Sequence, residues 1–331
     1  MPNVPNEDAG TVLAARRSLW AGRRLDASYA GWLVLVAILS AWPAIVGASF
    51  LLYVSTLVML YGIGAMGLHL MFRVGQVSFG QAAFLGIGGY ACALLLTGTA
   101  LPWPVAVLVA IGASGLCGAV IGPAILRLRG VYFVLFTFIL GEFFERVFDD
   151  WTAVTDGAAG ISGIPRLMPF DSPTRFYYLC FGAALLCAAI CERLLRSDFG
   201  EAVDAVRTSE NLAASNGIPV SQIKVTVFAL ACGFAGLQGA LQACFVHYIS
   251  PVSYTFSESL RLVVMNVIGG MNALPGAMLG AAAIVALPEL LRSWVQYQWV
   301  FYGAALILVV RYAPGGLYEL AMRAKAALRK I

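Results

Sequence analysis

The chain has 331 residues, of which 60% are hydrophobic and only 11% charged. A soluble domain carries about a quarter charged residues and still needs a polar surface at this size, so the composition excludes an ordinary soluble fold. The formal charge of +4 does not indicate nucleic acid, because the basic residues lie in short segments beside apolar stretches, where they orient a membrane protein.

Residues 1–30 read as a polar, cytoplasmic N-terminal leader. Arg16, Arg17, Arg23 and Arg24 precede an apolar run, but that run is long enough to span and more spans follow, which argues against a secretory signal peptide. A helix needs about 20 apolar residues to cross the hydrocarbon layer. Such segments are read at roughly 31–49, 51–72, 78–97, 103–125, 131–147, 175–194, 223–245, 256–272, 274–291 and 298–313. The second, fourth and seventh are clear, whereas the fifth, eighth, ninth and tenth are short or interrupted, which leaves eight to ten spans. The fold class is all-α: a polytopic transmembrane helical bundle over residues 31–317 with broken or re-entrant helices, followed by a tail at 318–331.

Placing the N-terminus inside puts 16 of the 21 basic residues on the cytoplasmic side and leaves Arg146, Arg166, Arg175, Arg261 and Arg292 outside. That asymmetry favours cytoplasmic ends for both termini. Two connections are long: an external, turn-rich loop at 149–175 and a cytoplasmic one at 195–222. The latter has an amphipathic helical pattern, with Thr208 or Ser209 able to cap a short helix over 210–216 and Gly217 and Pro219 to stop it.

Within the spans, glycine-rich stretches such as 112–122 and 231–240 read as helix-packing devices. GQVSFGQAAF (75–84) is the most unusual stretch, because Gln76, Ser78 and Gln81 stand where an apolar helix should begin. Intramembrane amides are costly unless paired. Two readings compete: a re-entrant or unwound start that turns donors toward a central path, and interhelical hydrogen bonds that lock the fold. Asn266 and Asn272 flank Gly269-Gly270 at a second expected break and are further candidates for a path lining. A loose likeness between 73–90 and 267–285 suggests a parallel duplication, though Gly-Ala enrichment alone can imitate one.

Other polar groups read as local. Glu142 and Arg146 are spaced to pair, as are Glu258 and Arg261, and His247 reads as interfacial. The seven cysteines read as small buried thiols, and neither a metal site nor a catalytic set is indicated. There is no GxxxxGK[ST] loop, so the chain itself carries no evident ATP site.

Several colinear stretches resemble the permease subunits of bacterial branched-chain amino acid ABC importers, particularly the LivM-like member of the LivH/LivM pair. They are GQVSFGQAAFLGIGGYACALL (75–95), LRLRGVYFVLFTFILGEFFERV (126–147), TDGAAGISGIP (155–165), residues 199–241, residues 249–291 and FYGAALILVVRYAPGGL (301–317). The resemblance implies a multi-pass protein of the bacterial inner membrane that pairs with a homologous LivH-like permease. It implies two ATPase subunits holding ATP and Mg below, and a periplasmic substrate-binding protein above. It also implies that ENLAASNGI (210–218) is the segment coupling to the ATPase, with Glu210, Ala213, Ala214 and Gly217 fitting its loop pattern imperfectly. The substrate expected from it is a branched-chain amino acid. Related permeases serving urea and short amides are the alternative, and an ion-coupled secondary carrier is the alternative of another class.

Overall fold

A computed structural model describes residues 39–45, 47, 50–99, 101–271 and 273–290, with isolated positions between 297 and 322. The leader, most of the expected first and tenth spans and most of the tail lie outside the described residues. The chain divides into two compact units, Met1–Ala48 and Ser49–Ile331. In the first, residues 39–45 are helical; everything below concerns the second.

Among the described residues, ten helices longer than the single turn Thr152–Thr155 carry the second unit: α1 Phe50–Arg73, α2 Gln81–Gly98, α3 Trp103–Ile125, α4 Val131–Asp150, α5 Pro173–Leu195, α6 Asp198–Thr208, α7 Glu210–Ser215, α8 Val220–Val246, α9 Phe256–Gly269 and α10 Leu274–Leu290. Among the described residues, α1, α2, α3, α5 and α8 are long and apolar enough to cross a bilayer. The expected eighth and ninth spans are instead the two arms of one bent pair, α9 and α10, which turn through 118°. Gly270 makes that break at φ +117°, a left-handed region in which a side chain is strained. α4 has spanning length but carries Glu142, Glu145, Arg146, Asp149 and Asp150 along its last turns. The expected Glu142–Arg146 pair is not formed among the described residues.

Long helices start where proline and a capping residue permit. Pro102 and Pro104 open α3, and Ser172 caps α5 by accepting from the Arg175 N–H at 3.3 Å ahead of Pro173. At the centre, α8 packs against α1, α2 and α3. Small residues permit this. A Cβ on Gly88 would stand 2.4 Å from Gly236 Cα, so α2 and α8 touch backbone to backbone. The packing role expected of the α3 glycines is uneven: Gly118 faces Cys232 on α8, while a Cβ at Gly112 would meet nothing within 4 Å. All seven cysteines are free thiols, six of them buried.

At the end of the bundle where α8 finishes, the long loop is more ordered than its turn-rich sequence implies. Two-residue strands β1 (Ile161–Ser162) and β2 (Tyr248–Ile249) pair antiparallel, with Ile161 opposite Ile249. Tyr248 Oη donates to Ala159 O at 2.9 Å, and His247 Nδ1 lies 3.0 Å from Ile164 O. A 3-10 turn, Pro251–Tyr254, then leads to α9.

Candidate functional site

Two helices of the bundle begin inside it. After Arg73 the chain leaves α1 through a turn at Gly75 (φ +84°), and residues 74–80 carry no helix. Gln76, Ser78 and Gln81 are all buried there. Side chains of neighbouring helices supply the partners an absent helix would have given. The Phe79 N–H donates to Thr137 Oγ1 of α4 at 3.1 Å, and the Ala82 N–H donates to Ser259 Oγ of α9 at 2.9 Å. Non-helical backbone at membrane depth is tolerated only with such partners. The unwound start, one of the two readings of this segment, is therefore present, and the interhelical hydrogen bonds of the other accompany it. The start of α9 meets the start of α2 at Ser259, so the two beginnings share one level of the bundle.

The amides at this level divide their bonding between fold and interior. Gln81 Nε2 donates to Ala231 O of α8 at 3.0 Å, and Asn266 Nδ2 donates to Ala65 O of α1 and Leu262 O, both at 3.0 Å. The other ends, Gln81 Oε1, Asn266 Oδ1 and Gln76 Oε1, are buried and accept nothing from the described residues. Ser78 Oγ accepts from the Gly80 N–H at 3.3 Å and so closes the local turn. Gln76, Ser78 and Gln81 thus come together on one segment. Asn266 lies two turns along α9 from Ser259, with no hydrogen bond joining it to them, and Asn272 is outside the described residues.

Two features escaped the sequence reading. Gln238, on α8, is fully buried, and neither Oε1 nor Nε2 has a hydrogen-bond partner among the described residues. It sits against Gly64 of α1, where a Cβ would fall 1.7 Å from Gln238 Oε1. Its signal was a lone amide in an otherwise apolar run, repeated one turn on at Gln242. The second is Tyr61 of α1, which converts the expected Glu258–Arg261 bridge (3.1 Å) into a triangle. Tyr61 Oη donates to Glu258 Oε1 at 3.1 Å, and Arg261 Nη1 donates to Tyr61 Oη at 2.8 Å.

At the Arg73 end lies the 195–222 connection, folded as α6 and α7. Asp198 and Glu201 in the first turn of α6 and Arg207 in its last complement the helix dipole. Ser209 Oγ accepts from the Leu212 N–H at 3.4 Å, which makes it the cap of α7. Gly217 (φ +79°) ends α7: its N–H bonds to Ala214 O and that of Ile218 to Ala213 O, both at 3.0 Å. Ion pairs hold the segment to the bundle. Arg73 Nη2 lies 2.6 Å from Asp204 Oδ2, Arg129 Nη2 lies 2.8 Å from Glu210 Oε2, and buried Lys224 takes Glu210 Oε1. The four residues assigned to this segment therefore differ. Glu210 and buried Ala213 face the bundle, while Ala214 and Gly217 are exposed beside Leu212, itself 65% exposed.

Long apolar helices around a glycine-packed core, two helix beginnings buried at one depth and a charge-clamped helical connection at one end define a polytopic membrane permease. Comparison with known proteins gives the family. The chain belongs to the family of the branched-chain amino acid transport system permease component, whose model matches residues 50–310. It is 31% identical over 320 residues to the high-affinity branched-chain amino acid transport system permease protein LivM of Escherichia coli K12, covering 86% of this chain and 74% of that one. Identity to the LivM protein of Salmonella typhimurium is 30% over 313 residues, covering 86% and 73%. The LivH permease protein of E. coli K12 is 29% identical over 137 residues, 40% of this chain and 43% of that one. No solved structure matches the chain.

Proposed function

We propose that the chain is one of two permease subunits of an ATP-driven importer and forms part of the path for branched-chain amino acids. The family and the names of the relatives support the substrate class. The observation that carries the mechanism is the clamped connection. A short helix presents Leu212, Ala214 and Gly217 outward while Glu210 fixes its base through Arg129 and Lys224. Small side chains around one apolar knob suit a groove on a partner, and rim charges set its register.

The partners are a homologous LivH-like permease, two ATPase subunits that bind ATP and Mg, and a periplasmic binding protein that delivers substrate. This chain binds no cofactor of its own. The α6–α7 side then faces the cytoplasm with both termini, the β1–β2 side faces outward, and the bundle lies in the inner membrane. Gln76, Gln81 and Asn266, with Asn272 and Ser78 on the same breaks, are the polar candidates along the path. ATP drives the two helix beginnings between inward- and outward-open arrangements.

The test is ATP hydrolysis by the copurified complex in lipid, with its binding protein, across leucine, isoleucine, valine, other amino acids and urea. Stimulation by the branched-chain set is expected. Stimulation by urea alone moves the assignment to the amide permeases, and a folded preparation with no associated ATPase returns it to a secondary carrier.

A further inference from the structure

Tyr61 stands halfway along α1, about 18 Å from the Arg73 end at about 1.5 Å per residue. The triangle it makes with Glu258 and Arg261 therefore sits deep in the bundle, not at a mouth. A buried ion pair adds little stability that apolar side chains of like volume would not match, because desolvation costs several kcal/mol per ion. Asn266 also bridges α1 and α9, by donating to Ala65 O. The bonding of the triangle is also lopsided: both contacts from Tyr61 and Arg261 converge on Glu258 Oε1, and Oε2 is buried with no hydrogen-bond partner among the described residues. Gln238 adds an unspent amide oxygen and an unspent amide nitrogen. It lies against Gly64, one turn along α1 from Tyr61, and the same Gly64 position faces Leu262, next to Arg261.

The groups gathered here are two acceptors without protein hydrogens, one amide donor, a guanidinium and a phenolic hydroxyl. That set complements a zwitterion. An ammonium needs acceptors, which Glu258 Oε2 and Gln238 Oε1 supply. A carboxylate needs donors, which the Arg261 guanidinium and Gln238 Nε2 supply. An uncharged solute would call for neither charge. We propose that Tyr61, Glu258 and Arg261, with Gln238 beside them, form the mid-membrane docking point for the α-ammonium and α-carboxylate of the transported amino acid. The proposal rests on the amino-acid reading of the function. The ion pair opens to receive a ligand of equal and opposite charges, so charge in the interior stays balanced at every step, and the aliphatic side chain is left to the apolar walls.

The experiment compares the wild-type complex with E258Q, Y61F and the double variant E258Q/R261Q in proteoliposomes with the binding protein. It reads leucine turnover, the KM for the loaded binding protein, and assembly with the ATPase. Turnover in E258Q is expected to fall at least about tenfold, as loss of a buried charge-assisted contact does, with KM unchanged. The double variant removes both charges of the pair together. A pair that only holds helices together would regain wild-type turnover there, and that result overturns the proposal; persistent loss supports it. Should E258Q fail to assemble, Y61F and the double variant decide, and wild-type turnover in either overturns the docking point. A wild-type complex that moves urea but not leucine overturns the amino-acid reading itself, and with it this proposal.

Discussion

Glu210 is joined to two cations on different elements, Arg129 in the α3–α4 turn and Lys224 on α8. The variant E210Q keeps its volume and strands Lys224, whose side chain is 3% exposed. We expect a local loss of about 1–3 kcal/mol, less than the full penalty of a broken buried pair because Glu210 keeps contact with water. Its readout is the ATP hydrolysed per leucine imported, which should rise. A different argument applies to glycine. A Cβ on Gly236 would fall 2.4 Å from Ser114 Oγ and 2.9 Å from Ala110 O, so Gly236→Ala should destabilise the bundle by about 1–3 kcal/mol. Gly112→Ala adds a methyl group to open space and should stay within about 0.5 kcal/mol. Thermal unfolding of the two variants side by side checks both. Both glycines sit in runs of one composition, and which of them touches a neighbour depends on the rotation of α3 and α8 in the bundle. Sequence does not carry that rotation.

α7 shows the same limit at the next scale. Its existence was legible, because a cap, a short amphipathic run and a Gly-Pro stop are local signals. The roles of its residues were not: six residues make less than two turns, so Ala213 and Ala214, about 100° apart on the helix, could not be told apart by periodicity. One is buried and the other exposed. Leu212→Asp should therefore abolish copurification with the ATPase and leave the permease folded, whereas Ala213→Leu should lower the yield of folded permease. Gly217→Ala puts a side chain at φ +79° and should cost about 1–2 kcal/mol from backbone strain alone, loosening the end of α7. The break at 74–80 was legible for a physical reason as well, since amides do not stand at the start of an apolar helix without cause. That Gln81 would spend one end on α8 and keep the other was not legible, because it required the depth at which α2 begins.

The whole molecule was legible in class and blurred in count. Composition and run length settle a helical membrane bundle. The number of spans depends on whether short runs such as 256–269 and 274–290 cross or turn back, and the 118° angle between the two runs is set in three dimensions. Sidedness is open to a direct check. Ser215→Cys on α7 and Ala158→Cys near β1 place thiols on exposed positions near opposite ends of α8, while six of the seven native thiols are buried. A membrane-impermeant maleimide should label Ala158→Cys in right-side-out vesicles and Ser215→Cys only in inverted ones. Labelling of both from one side would break the assigned orientation.

The two-residue ladder between Ile161 and Ile249 is the smallest regular element among the described residues, and it joins pieces nearly ninety positions apart in the chain. Beyond it, the chain reaches Tyr254 within a few residues, and the Tyr254 hydroxyl bears on Gly89 of α2. Loop, strands and the 3-10 turn consequently form one continuous link from the 149–175 loop to a central helix. A displacement of Ile161 in the external loop is expected to reach α2 through Ile249 and Tyr254 without involving the 195–222 connection.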